Sequence, residues 1–197
     1  MRHLATILFL APFTIAGAQQ SSAALFNTAD HSVVEDSLLS IPSSSQRARA
    51  IRAYAQTDDR ATLLSAMRIA RTIPSSEDKS RLLETLAPRY LGSGDRSRYT
   101  AYFRVARTVP SSEELRDLLI DAVPYAAKSD DIANAIIDVA RMVPSSPDRS
   151  DVLTALVEGG AVRSNDVREQ FADALQSIPS DQDRQRVARA AMKAVKE

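Results

Sequence analysis

The sequence has no cysteine and no tryptophan, only 5 glycines in 197 residues, and just two histidines. Without cysteine there is no disulfide staple, no thiolate nucleophile and no thiolate-held zinc, so an apolar core alone must hold the fold. A lipoprotein anchor, which needs a cysteine just after the cleavage site, is excluded too. Aromatics make up 5% of the chain, and the β-branched and aromatic runs that strands use are scarce. Charge of one sign is also missing: 25 basic residues stand against 25 acidic ones. Nucleic-acid binding requires a basic footprint, so no nucleic acid is expected among the partners. What remains is rich in Ala, Leu, Arg, Ser, Asp and Glu, which is helical composition.

One apolar run stands apart, at the start. Arg2 supplies a positive charge, Leu4 to Ile15 a short apolar stretch, and Ala16-Gly17-Ala18 the small residues that signal peptidase requires. A membrane span takes about 20 apolar residues, more than this run provides. The expectation is a signal peptide over 1–18, a loose polar leader over 19–29, and a single helical domain over 30–197. The protein is then exported, to a periplasm or beyond, with no membrane insertion after cleavage. Removing 1–18 leaves 24 basic and 25 acidic residues and His31 as the single histidine.

The main signal is a repeated turn. Ile41-Pro42-Ser43-Ser44, Ile73-Pro74-Ser75-Ser76, Val109-Pro110-Ser111-Ser112, Val143-Pro144-Ser145-Ser146 and Ile178-Pro179-Ser180-Asp181 place prolines 32, 36, 34 and 35 residues apart. Such periods belong to helical hairpins stacked side by side. Each proline disfavours helix in the residue before it, so one helix stops there. The following serine is a natural N-cap for the next helix. Three residues later stand Gln46, Asp78, Glu114, Asp148 or Asp183, suited to a reciprocal capping bond or to the helix dipole. Pro147 falls in a first helical turn, where its missing amide costs little.

Apolar stripes flank every turn. Leu82, Leu83, Leu86 and Ala87 follow one; Leu118, Leu119, Ala122 and Val123 the next; Val152, Leu153, Leu156 and Val157 the next. Before the turns run Ala66, Ile69, Ala70 and Ile73, then Tyr102, Val105, Ala106 and Val109, then Ile136, Val139, Ala140 and Val143. Each unit is therefore two amphipathic helices that need neighbours. The pattern predicts an all-α fold, an α-solenoid of about five helix–turn–helix repeats of about 34 residues. Ten helices are expected, at 30–40, 45–56, 59–72, 76–91, 95–108, 112–128, 130–142, 146–159, 164–177 and 181–195, with Gly159-Gly160 as a helix stop.

The period is similar to that of tetratricopeptide repeats, without their Trp-Leu-Gly-Tyr signature, and the Ala/Leu-rich helix pairs are similar to HEAT repeats, without their Asp and Arg placement. Ala70 to Leu82 and Ala140 to Val152 resemble more closely a class of bacterial helical repeats reading A-x-x-I-x-S-D/S-x-x-x-R-x-x-L. This chain has Ser or Pro where that class often has Asp-Tyr. Such repeats occur in exported proteins and in ectodomains of antibiotic-sensing membrane metallopeptidases. With no zinc motif here, the resemblance implies an interaction or sensing role and no peptidase activity.

Ser76 and Lys79 form an S-x-x-K pair, as in serine acyl enzymes. The equivalent positions hold Ser44 with Arg47, Ser112 with Leu115 and Ser146 with Arg149, so the lysine reads as a repeat-register basic residue. One histidine and no cysteine give no metal site, and no D-x-D-x-D-G loop offers calcium ligands. Paired acids such as Asp58/Asp59, Glu113/Glu114 and Asp130/Asp131 sit at helix starts, where the dipole favours them. No catalytic residue, metal or cofactor is expected.

Candidate binding residues fall in two groups. Arg71, Arg107 and Arg141 each stand three residues before a turn proline, a ladder that either binds carboxylates or pairs with Asp78, Glu114 and Asp148 around the same turn. Residues 89–104 hold three tyrosines, Phe103 and four arginines. Tyr99, Tyr102 and Phe103 align with Leu63, Ala66 and Met67 and read either as core or as interface. Tyr90, Arg96 and Arg98 are placed at a partner surface, because Tyr and Arg anchor interfaces. The expected function is non-enzymatic binding or scaffolding of a protein or peptide. The alternatives are an accessory or sensor domain for a membrane partner and, behind it, a carboxylate hydrolase.

Overall fold

The computed structural model describes residues 28–194. The expected signal sequence and nearly all of the leader lie outside the described residues. The helices are α1 (Thr28–Leu39), α2 (Ser44–Tyr54), α3 (Arg60–Ala70), α4 (Ser76–Leu91), α5 (Arg96–Ala106), α6 (Ser112–Ala126), α7 (Asp130–Ala140), α8 (Ser146–Glu158), α9 (Asn165–Gln176) and α10 (Asp181–Ala194). Helix starts at Thr28, within the stretch expected as leader.

The turns work as their chemistry dictates. The hydroxyls of Ser43, Ser75, Ser111, Ser145 and Ser180 accept from the amides of Gln46, Asp78, Glu114, Asp148 and Asp183 at 3.1–3.4 Å. Each cap satisfies an orphan amide and is worth about 1 kcal/mol. The reciprocal bond of a capping box does not close at these turns among the described residues. One of the acids instead reaches back to the preceding unit, Asp183 accepting from Ser146 at 2.8 Å, while the Ser112 hydroxyl accepts from Ser145 N at 3.2 Å.

The odd-numbered helices pack on one another in the order α1, α3, α5, α7, α9, and the even-numbered ones in the order α2, α4, α6, α8, α10. The fold is an all-α, two-layered stack of five helical hairpins. The core runs between the layers. Ile73, Val109, Val143 and Ile178, each just before a turn proline, are buried, as are Leu83, Leu118, Leu119, Leu153 and Leu156. Each fully buried Leu contributes about 1.5–3 kcal/mol.

The even helices α4 and α6 lie along the odd helices that follow them, but α8 barely touches α9. The six-residue link from Gly159 to Ser164 explains the gap. Gly160 holds φ +66°, which favours glycine. A Cβ on Gly159 would fall 2.3 Å from a Val123 methyl, so glycine lets the end of α8 close on α6.

A charged residue five after the turn proline ties α2, α4 and α8 to the next unit. Arg47 donates to the carbonyl and hydroxyl of Thr72 at 3.2 Å and to Ile41 O at 2.6 Å. Arg149 does the same to Ser177 and Val143. Lys79, the lysine of the S-x-x-K pair, donates to Thr108 O at 2.9 Å and Thr108 Oγ1 at 3.0 Å. Its burial, with the Arg71 charge nearby, pushes the ammonium below its usual range. At the remaining rung, Leu115 is buried and Met142 takes the threonine's place.

Candidate partner-binding surface

The aromatic junction at 89–104 is mostly interior. Tyr90 is fully buried, and its hydroxyl donates to Leu63 O at 2.6 Å. Its placement at a partner surface is thereby corrected: it lies seven residues after Leu83 and four after Leu86, on the apolar stripe of α4. Burial pushes its phenol well above the ordinary range. The Tyr102 ring lies 6.5 Å from Tyr90 and meets Phe103 edge-on at 5.3 Å. Tyr99 is buried too, and its hydroxyl donates to Asp131 at 2.8 Å, joining α5 to α7. These aromatics are enlarged core residues.

Arg98 is corrected as well. Its side chain is 17% exposed, its guanidinium donates to Asp58 O at 3.1 Å, and Asp95 stands 3.7 Å away. Arg89 holds the same 55–59 link through Thr57 O and Asp58. Both clamp the loop between α2 and α3. Arg96 is exposed and makes no hydrogen bond or ion pair among the described residues.

The arginines before the turns do not pair with Asp78, Glu114 and Asp148. Each caps an odd helix and looks along the odd layer, whereas Asp148 is drawn between even helices, where Arg116 meets it at 3.0 Å. Arg107 lies 3.8 Å from Asp138. Arg141 donates to Gln170 O at 3.0 Å and has Asp138 and Asp173 at 3.9 and 4.0 Å. Arg71 is exposed without a hydrogen bond or ion pair among the described residues.

Two further arginines complete the surface. Arg68 and Arg104 each stand six residues before a turn proline, one helical turn from Arg71 and Arg107. Arg68 pairs with Glu35 on α1. Arg104 is exposed and bonds to nothing among the described residues. The same spacing that marked Arg71 and Arg107 would have found both.

Between α3 and α5 these side chains frame a groove of about 470 Å³, floored by Ala61, Leu64 and Ala101 and edged by Arg68, Arg71 and Arg104. Guanidinium forks over small apolar residues suit carboxylates carried on a protein chain. Neither α3 nor α5 contains an acidic residue. Among the described residues, no three acidic or imidazole groups gather to hold a metal ion, and no helix is long and apolar enough to cross a membrane. The chain matches no family model, no curated protein and no solved structure.

Proposed function

We propose that this is an exported, non-enzymatic protein-binding stack whose odd-layer surface on α3 and α5 recognises an acidic protein or peptide surface. One observation carries the reading: Arg71, Arg96 and Arg104 are exposed on one continuous face and are left unengaged by the chain itself. Unsatisfied guanidiniums over Ala61, Leu64 and Ala101 offer charge-assisted, bidentate bonds without a structural role to give up. The small floor lets a ligand backbone come close. A labelled glutamate-rich peptide tests the reading by fluorescence anisotropy. The expected result is binding that weakens steeply with salt and falls roughly tenfold or more in Arg71→Glu/Arg104→Glu. A peptide that binds the variant as well as the wild type, or binds neither, sinks the proposal.

A further inference from the structure

The odd layer reverses its charge halfway along. Six residues before the successive turn prolines stand Arg68, Arg104, Asp138 and Asp173. Fourteen residues before them stand Arg60, Arg96, Asp130 and Asn165, the last followed by Asp166. All of these are exposed. Residues spaced by eight on a helix lie on one side of it, so they share a face. Because α3, α5, α7 and α9 pack in that order, the face reads basic, basic, acidic, acidic across the stack.

We infer that this face is self-complementary and that the chain pairs with a second copy of itself, odd layer to odd layer. The inference rests on the reading that α3 and α5 bind an acidic protein surface and names that surface as α7 and α9 of the second copy. A two-fold axis parallel to the helices, between α5 and α7, sets each position against its opposite. Arg104 meets the second copy's Asp138, Arg68 its Asp173, and Arg96 its Asp130. The pairing is isologous, so every contact occurs twice.

Two features favour a second copy over an unrelated acidic ligand. Charges without an ion pair lie on both halves of the face: Arg96 and Arg104 on one, Asp130 and Glu169 on the other. A purely acidic ligand would use the first half and be repelled by the second, whereas a second copy uses both. Small and half-buried residues occupy the middle, Ala101 on α5 and Ala135 on α7, and allow the layers to approach. The one like-charged meeting, Arg107 against Arg141, is softened because each has Asp138 of its own chain within 4 Å.

Sedimentation of the full chain tests this. The wild type should be dimeric at ~0.01 M salt, where the screening length is about 30 Å, and shift to monomer at ~1 M, where it is about 3 Å. Arg96→Glu/Arg104→Glu turns α5 acidic beside acidic α7, and Asp130→Arg/Asp138→Arg turns α7 basic beside basic α5, so the two central helices of each homodimer face like charge. Each variant, shown by circular dichroism to keep its helices, should associate roughly tenfold or more weakly than wild type. An equimolar mixture of the two should recover the dimer, as a heterodimer. A wild type that stays monomeric at low salt overturns the inference, and so does a mixture of folded variants that stays monomeric. If that monomer still binds the glutamate-rich peptide through Arg71 and Arg104, the acidic-surface reading stands and only the second copy is lost; if it binds none, both fall.

Discussion

Tyr90, Tyr99 and Tyr102 hold their phenols above the ordinary range, in each case chiefly because burial penalises the phenolate; at Tyr99 the hydrogen bond to Asp131 and its charge add to the shift. An acid whose folded-state pKa is raised keeps its proton in the fold and loses it in the unfolded chain. Stability from these groups is therefore complete below about pH 10 and is lost as pH climbs past it. The expected outcome is an alkaline transition in which phenolate absorbance from these three tyrosines rises together with loss of helical ellipticity. Tyr102→Phe keeps the ring and removes one such proton, so its transition should move to higher pH. A transition unmoved by Tyr102→Phe would mean that this phenol does not ionise on unfolding. The burial of Tyr90 was legible in the chain: sixteen residues after a turn proline, it occupies the place of buried Ala126 one unit later. The arginines around it mimicked an interface. Nothing in local sequence tells that Arg98 reaches Asp58 O, forty residues away, because that contact depends on how one hairpin sits against the next.

The tie between an even helix and the following unit shows what the repeat demands and what it lets vary. An arginine fork spans two carbonyls, its own unit's and the next one's, while the Lys79 ammonium serves Thr108 alone. Where Leu115 replaces the cation, Met142 replaces the hydroxyl, so both sides of the rung have become apolar. The two positions should be coupled. Leu115→Lys alone buries an ammonium beside a methionine side chain and should cost about 1–3 kcal/mol. Adding Met142→Thr should return about 1 kcal/mol of that, a positive coupling measured by a double-mutant cycle in urea. Additive changes would show that the tie is made through backbone carbonyls only. At this scale the chain is highly readable. The expected helix at 76–91 is Ser76–Leu91, and that at 164–177 is Asn165–Gln176, because a proline that stops one helix and a serine that caps the next act within a few residues. The pairing of Arg71, Arg107 and Arg141 was not readable, since it depends on the rotation between hairpins.

Among the described residues each hairpin packs chiefly on its neighbours, so damage should stay where it is made. Tyr102 is the test position. It is buried against Tyr90 of α4 and Phe103 of its own helix, at the middle of the aromatic cluster. Tyr102→Ala opens a cavity there and should cost about 3–5 kcal/mol, enough to release a marginal region. In a fold with one indivisible core that loss would lower hydrogen-exchange protection everywhere alike. Here α3, α4 and α5 should lose most of theirs. α8 and α10 pack closely on each other, and Val152, Leu153, Leu156 and Val187 on them are buried, so they should keep most of theirs. α9 packs far less on the even layer than α7 does, so in the wild type its amides should exchange faster than those of α7. Peptide-resolved exchange measured on wild type and Tyr102→Ala decides both points. A uniform fall in protection would show that the five hairpins unfold as one unit, and local repair along the stack would then be no part of how this protein withstands change.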